Sequence, residues 1–328
     1  MIIAYLLILV VGFVLLIKGA DFFVEGSSAA AKKFRVPSVV IGLTVVAMGT
    51  SAPELAVSLS AALEGSNEIA VSNVTGSNMF NLMAVLGICA VMSPLPSDKN
   101  IVKKDYPFMI FITLVLIVLS FGNYFGIALT QGTSSLAKCG ILGRFGGIVL
   151  LILFAVYIFS TVKHALKIRS ESSDDEYEVF FKPWQIILYI IGGLAAIVIG
   201  GKMVVAGAKS IALAIGMTET LIGLTVVAFG TSLPELVTSV IAAKKGENGL
   251  AMGNIIGSNI FNILFILGMS SVITPIGVNV QGVTDMIISF IMCIIVYFFA
   301  KTSKNISKGE GVFMIIAYAA YMVYAIFR

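Results

Sequence analysis

The chain has 328 residues, of which 59% are apolar and only 12% charged, and its net charge is +4. Soluble domains carry about a quarter charged residues, and the apolar runs here reach the ~20 residues that cross a bilayer core about 30 Å thick. An ordinary soluble globular domain is thereby excluded. A water-soluble helical bundle would need polar faces at helical period, and most of these segments have none. The expected fold class is an all-α polytopic membrane protein.

Ten hydrophobic segments follow in chain order, near residues 2–24, 36–63, 68–93, 104–122, 143–163, 183–208, 217–243, 250–274, 282–300 and 310–327. The first has no basic stretch ahead of it and no small-residue cleavage site. It reads as a retained spanning helix rather than a signal peptide. Between the fifth and sixth lies KIRSESSDDEYEVFFKP, the one strongly polar stretch. Its acidic run, Glu171 to Glu178, reads as a solvated loop.

The two halves match each other. One constant offset aligns Gly42 with Gly223, Glu54 with Glu235, Ser77 with Ser258, Asn81 with Asn262 and Pro94 with Pro275, without a gap. The match fades in the first and sixth segments, where Gly19 and Gly26 still align with Gly200 and Gly207. Each half holds an odd number of spans, so the second copy enters the membrane from the opposite side, as an inverted repeat. The expected organisation is a first five-helix repeat over 1–164, a polar cytoplasmic loop over 165–182 and a second repeat over 183–328. The internally similar stretches cover about 40–95 and 221–276.

Loop charge sets the orientation. With the N-terminus outside, the cytoplasmic loops hold Lys32, Lys33, Arg35, Lys99, Lys103, Lys104, Lys163, Lys167, Arg169, Lys182, Lys244, Lys245, Lys301, Lys304 and Lys308. The other side holds Lys138, Arg144, Lys202, Lys209 and Arg328. Positive residues favour the cytoplasm, so both termini are expected outside.

The chemistry concentrates in TVVAMGTSAPELAVS (Thr44–Ser58) and its echo TVVAFGTSLPELVTS (Thr225–Ser239). Pro53 has no N–H and its ring clashes with the carbonyl of Gly49. It also pushes Ala52 away from helical angles. Helix two is expected to break there, and helix seven at Leu233–Pro234. The breaks should free carbonyls over Ala47–Thr50 and Ala228–Thr231, which hydrocarbon does not tolerate unless protein, a wet cavity or an ion satisfies them. Beside each break stands a mid-span carboxylate, Glu54 or Glu235, and such residues are costly and usually functional. Carboxylate, hydroxyl and carbonyl oxygens are the ligands of hard cations such as Ca²⁺ and Na⁺. Thr50, Ser51 and Glu54 supply them in one half; Thr231, Ser232 and Glu235 do so in the other. The bland alternative is a capping box, Ser51-x-x-Glu54, that merely starts the second half-helix.

The third and eighth segments carry SNVTGSNMFN and GNIIGSNIFN. Asn73, Ser77 and Asn81 share one helix face, as do Asn254, Ser258 and Asn262. Gly76 and Gly257 would allow close backbone approach. Helix–helix adhesion through amides and small residues is the competing explanation.

The remaining polar residues suggest less. Cys89 and Cys293 lie in apolar runs and read as small buried residues, while Cys139 lies in a loop, and the spacing suits neither zinc nor a disulfide framework. The single histidine, His164, reads as a solvated helix end. Lys18 and Asp21 read as an ordinary helix-end pair, and Asp285 as an interfacial residue. No nucleophile–base pair is visible, so an enzyme is not expected.

The segments AMGTSAPE, AFGTSLPE and the two GSN-x-FN stretches closely resemble the α-repeats of the calcium/cation antiporter superfamily, and best its ten-helix, prokaryotic-type sodium/calcium exchangers. The resemblance covers essentially the whole chain. It implies a secondary active antiporter that exchanges Na⁺ for Ca²⁺ by alternating access, with an ion-binding core of helices 2, 3, 7 and 8 and with helices 2 and 7 broken. It implies Glu54 and Glu235 as shared cation ligands, completed for Ca²⁺ by the carbonyls of Thr50 and Thr231. Flanking Na⁺ sites would use Ala47, Ser51 and Ser258 on one side and Ala228, Ser232 and Ser77 on the other, with Asn81 and Asn262 between them. Calcium and sodium are then the transported ions and lipid the surroundings. No cofactor, nucleic acid or protein partner is implied, and the location is the cell membrane of a prokaryote. Potassium-dependent relatives often carry aspartate where this chain has Asn262, which argues against K⁺ co-transport. The short middle loop lacks the calcium-sensing domains of animal exchangers. Helices one and six would slide over a rigid core, eased by Gly19, Gly26, Gly200 and Gly207. A proton/calcium antiporter of the same superfamily is the nearest rival, since buried carboxylates can titrate; a cation channel is a rival of a different class.

Overall fold

The computed structural model describes residues 2–64, 68–96, 100–131, 140–171, 181–214, 228–302 and 305–327. Its helices, in chain order, are α1 (Ile2–Phe34), α2 (Ser38–Thr50), α3 (Ala52–Leu63), α4 (Ile69–Met92), α5 (Tyr106–Gln131), α6 (Arg144–Glu171), α7 (Pro183–Ala214), α8 (Ala228–Thr231), α9 (Leu233–Lys244), α10 (Asn248–Ile273), α11 (Val280–Thr302) and α12 (Lys308–Phe327). Among the described residues, 8 helices are long and apolar enough to span a membrane, and the bent pair α2–α3 brings the number to 9. The first half of the span expected near 217–243 lies outside the described residues, as do Cys139 and most of the acidic run after Glu171.

The proline breaks are real but fall one residue earlier than expected. α2 and α3 bend by 48°, and the turn is taken at Ser51, with φ −80° and ψ 10°. Ala52 and Pro53 instead occupy the first two positions of α3. A proline is tolerated there, because its missing N–H has no helical partner to lose. Ser232 turns the chain the same way before α9, with φ −91° and ψ 5°.

α4 and α10 are buried almost all round and form the centre of the molecule. α2 lies against α10 with almost no space between the backbones. A β-carbon on Gly257 would fall 2.7 Å from the Cα of Leu43, and one on Gly253 would fall 2.5 Å from the carbonyl of Val39. Gly257 therefore has the close-approach role expected of it. Gly76 meets nothing among the described residues. Its repeat partner for that contact, Leu224, lies outside them.

Widened π turns interrupt these central helices at Gly42–Val46, Phe80–Val85 and Asn262–Leu267. Such turns re-aim the residues that follow and are frequent at functional sites. Two short antiparallel ribbons tie the halves together. Leu95–Pro96 pairs with Asn305–Ile306, and Gly140–Leu142 pairs with Ile276–Val278.

α1 and α7 run to 33 and 32 residues, well beyond the segments 2–24 and 183–208. They pack on each other through glycines spaced seven apart. A β-carbon on Gly19 would lie 2.8 Å from the nitrogen of Ile197, and one on Gly200 would lie 2.6 Å from that of Leu16. Gly12, Gly26, Gly193 and Gly207 make the same kind of contact along the rest of the interface. These glycines were expected to smooth sliding over the core. They instead hold α1 and α7 to each other, backbone against backbone, so the two helices form one paired unit. The opposite face of α1 is exposed apolar surface, including Leu7, Val10, Val14 and Ile17, as lipid contact requires.

Three minor expectations also meet the structure. Cys89 and Cys293 are buried free thiols. Asp285 is not interfacial: it is 4% exposed and accepts a hydrogen bond from the hydroxyl of Tyr321 at 3.0 Å. Asp21 lies mid-helix, because α1 continues to Phe34, and it pairs with Lys245 rather than with Lys18.

Candidate cation site

Four elements converge at the centre: the α2–α3 break, the α8–α9 break, α4 and α10. Glu54 stands in the first turn of α3 and Glu235 in the first turn of α9. Both are fully buried. Each carboxylate is held by a hydroxyl from the other break. Ser51 donates to Oε1 of Glu235 at 2.8 Å, and Ser232 donates to Oε1 of Glu54 at 3.0 Å. The Ser77 hydroxyl also reaches Oε1 of Glu54 at 3.4 Å and lies 3.0 Å from Ser232 Oγ.

This geometry disposes of the capping alternative. Neither Ser51 nor Ser232 makes a side-chain cap to its own helix. Their hydroxyls cross to the opposite half instead. The second oxygen of each carboxylate, Oε2 of Glu54 and of Glu235, is buried with no hydrogen-bond partner. A buried charge without a partner is strongly disfavoured, and the ion pairs among the described residues put no basic side chain on either glutamate. The surrounding donors are carboxylate, hydroxyl, amide and carbonyl oxygens. That set suits a hard cation and lacks the thiolate and imidazole that softer metals prefer.

The other expected positions are distributed around this pair. Ala47 carries a carbonyl that is not freed by the break: it accepts the Ser51 N–H at 3.1 Å and the Ser258 hydroxyl at 3.4 Å. The Thr50 hydroxyl donates to Oδ1 of Asn254 at 3.0 Å. Thr231 ends α8, half-buried, and Ala228 begins it. Asn81 is fully buried, with neither amide atom hydrogen-bonded. Asn262 donates to Oδ1 of Asn78 at 3.0 Å and leaves its own Oδ1 unpartnered.

A model of the family described as sodium/calcium exchanger protein matches residues 4–163 and 185–327. The chain belongs to the sodium/calcium exchanger family. It is 37% identical over 98% of its length to the putative antiporter CaxA of Alkalimonas amylolytica, itself covered over 98%. It is 33% identical to the sodium/calcium exchanger MaX1 of Methanosarcina acetivorans, with 97% of each chain covered. Its structure is similar to that of the sodium-calcium exchanger NCX_Mj, with a TM-score of 0.82 at 33% identity over 98% of this chain and 99% of the other.

In this exchanger a shell of asparagines supports the site, and the motif reading gave it too little weight. Asn73 donates to the Glu54 carbonyl at 3.3 Å and to Ser58 at 3.0 Å. Asn254 makes the equivalent bonds, to the Glu235 carbonyl at 3.4 Å and to Ser239 at 2.9 Å. Each asparagine thus fixes the helix turn that carries a glutamate. Asn78 and Asn259 are the asparagines of the two GSN motifs. Each donates its amide to the other's backbone carbonyl at 3.2 Å, a reciprocal clasp between α4 and α10. The signal for it was present: both asparagines sit at the same place in the two repeats, on the face next to Ser77 and Ser258.

Proposed function

We propose that this exchanger is a secondary active antiporter that moves Ca²⁺ against Na⁺ by alternating access, with Glu54 and Glu235 as shared cation ligands. One observation carries the reading. Two fully buried carboxylates each have one oxygen fixed by a serine of the opposite half and one oxygen with no partner. Together they carry at most two negative charges, which one Ca²⁺ neutralises. Na⁺ ions competing for the same oxygens exclude Ca²⁺, and that exclusion is what couples the two fluxes. Thr50, Thr231, Ser51, Ser232, Ser77 and Ser258 supply further oxygens, with the carbonyls of Ala47 and Ala228, and Asn81 and Asn262 stand between the halves.

The same reading takes 1–164 and 183–328 as inverted five-helix repeats joined through 165–182. Both termini face outside, in the cell membrane. α1 and α7 move together as the mobile unit, since their glycine contacts join them along their length. The named relatives support Na⁺ and Ca²⁺ as the ions: MaX1 and NCX_Mj are both described as sodium/calcium exchangers.

The test is ⁴⁵Ca²⁺ uptake into proteoliposomes with Na⁺, H⁺ and K⁺ gradients imposed one at a time. An outward Na⁺ gradient should drive uptake on its own. Uptake driven by a pH gradient in the absence of Na⁺ would make the protein a proton/calcium antiporter instead.

A further inference from the structure

α9 ends in a tight turn. Gly246, at φ +77°, reverses the chain, and the N–H of Glu247 bonds back to the carbonyl of Ala242 at 2.9 Å. This turn presents two charged side chains to α1. Lys245 Nζ pairs with Oε1 of Glu25 at 2.9 Å and with the Asp21 carboxylate. The Ser28 hydroxyl donates to Glu247. Asp21, Glu25 and Ser28 are spaced at i, i+4 and i+7, one face of α1. Burial alone would lower the Lys245 pKa, but the two carboxylates outweigh it and hold the ammonium above its ordinary value. Since α1 is packed backbone to backbone on α7, a tie on α1 restrains both helices.

The offset that relates the repeats makes this tie unusual. It carries Lys245 onto Glu64, Asp21 onto Lys202 and Ser28 onto Lys209. One pair is thus kept with its polarity reversed, the acid after the half-helix and a base on the long helix, while Glu25 falls on Ala206 and the uncharged Ser28 falls on Lys209. Here that second set is open. Glu64 and Lys202 are both exposed, and neither belongs to an ion pair among the described residues. Glu64 rims an open depression lined by Ala56, Ser60 and Ile69.

Inverted repeats alternate by exchanging conformations about a fixed site. We propose that the two halves carry reciprocal latches of opposite polarity, Lys245 with Asp21 and Glu25 in the state seen here, and Glu64 with Lys202 in the opposite state of the cycle. The proposal rests on the inverted-repeat reading above, but not on whether Na⁺ or H⁺ is the coupling ion. Half-exposed pairs are individually weak. Weakness suits the task, because each latch must open once per turnover and neither state can be trapped.

The test uses the full-length chain with Cys89, Cys139 and Cys293 changed to serine. Glu64→Cys with Lys202→Cys, and Asp21→Cys with Lys245→Cys, are treated with a short bifunctional methanethiosulfonate during turnover. Each pair should cross-link, each cross-link should stop Na⁺-driven ⁴⁵Ca²⁺ exchange, and reductant should restore it. A chain carrying all four cysteines should form either bridge but never both. Failure of the Glu64→Cys/Lys202→Cys pair to link in a protein that still exchanges Ca²⁺ overturns the proposal, as do both bridges in one molecule. In a second arm, Lys202→Glu or Glu64→Lys alone should slow exchange about two- to fivefold, the scale of one exposed ion pair. The double swap should recover the rate, and no recovery counts against the latch. If the parent transports no Ca²⁺ on any gradient, the antiport reading falls, while exclusivity of the two bridges still decides the latch.

Discussion

Ser51 donates its hydroxyl to Glu235 at 2.8 Å, although the two residues belong to different halves of the chain. Ser232 returns the bond to Glu54 at 3.0 Å. The two breaks are therefore stitched to each other, and neither carboxylate is positioned by its own repeat alone. Removing either carboxylate should abolish function. Glu54→Gln and Glu235→Gln keep the size of the side chain but lose its charge, and each should eliminate Na⁺-driven ⁴⁵Ca²⁺ uptake in proteoliposomes. Parent-like uptake by either variant would remove that glutamate from the site.

The serine bonds predict a graded series. A hydrogen bond to a charged group contributes about 1.5–3 kcal/mol. Ser51→Ala and Ser232→Ala should each weaken Ca²⁺ binding about tenfold or more, by similar factors, as measured by isothermal titration in detergent. Ser77→Ala, whose contact with Glu54 is 3.4 Å, should cost less than Ser232→Ala. Equal losses at Ser77 and Ser232 would contradict the geometry.

Ligand stabilisation offers a second view of the same site. A ligand that binds only the folded protein raises its melting temperature by mass action. Saturating Ca²⁺ should therefore raise the Tm of the parent protein, and the increment should vanish in Glu54→Gln and in Glu235→Gln. Retention of the full increment in either would place the ion elsewhere.

The α1–α7 interface predicts a contrast between neighbours in sequence. A β-carbon on Gly193 would fall 2.6 Å from the nitrogen of Phe23, whereas one on Gly192 meets nothing within 4 Å. Gly193→Ala should destabilise by about 1–3 kcal/mol through overpacking. Gly192→Ala should be neutral or stabilising by up to about 1 kcal/mol, because alanine is the better helix former. Thermal unfolding followed by circular dichroism separates the two outcomes.

The Asn78–Asn259 clasp predicts a partner effect. Asn259→Leu removes the donor to the Asn78 carbonyl and sets an apolar side chain against that buried acceptor, while the Asn78 amide keeps its bond to the backbone carbonyl of residue 259; an unmet buried polar group costs about 1–3 kcal/mol. The double variant Asn78→Leu/Asn259→Leu should lose less than the sum of the single losses, since the two side chains lie in one contact and their replacements can repack together. Additive losses would show that the two bonds act independently.

Much of this protein is written locally and can be read without coordinates. Apolar run length sets the spans, because hydrocarbon accepts only backbone that is hydrogen-bonded within itself. Pro53 and Pro234 set the breaks, because a ring without an N–H cannot sit inside a helix. The paired glutamates stand out because an acid at mid-membrane is costly and usually functional. Other features depend on which surfaces meet, and sequence spacing does not contain that. The glycines of α1 and α7 had the right spacing for a close contact, but only packing showed that they face each other and not the core. Ser51 fits a capping box by spacing, yet its hydroxyl crosses to Glu235 because the second break lies beside the first. Lys245 looked like an ordinary loop charge until the fold carried Asp21 and Glu25 to it. The chain by itself determined the elements and the chemically costly residues, since those follow from short-range sterics and solvation. The tertiary structure alone decided the partners, since contact between residues far apart in the chain is fixed by how the whole surface packs.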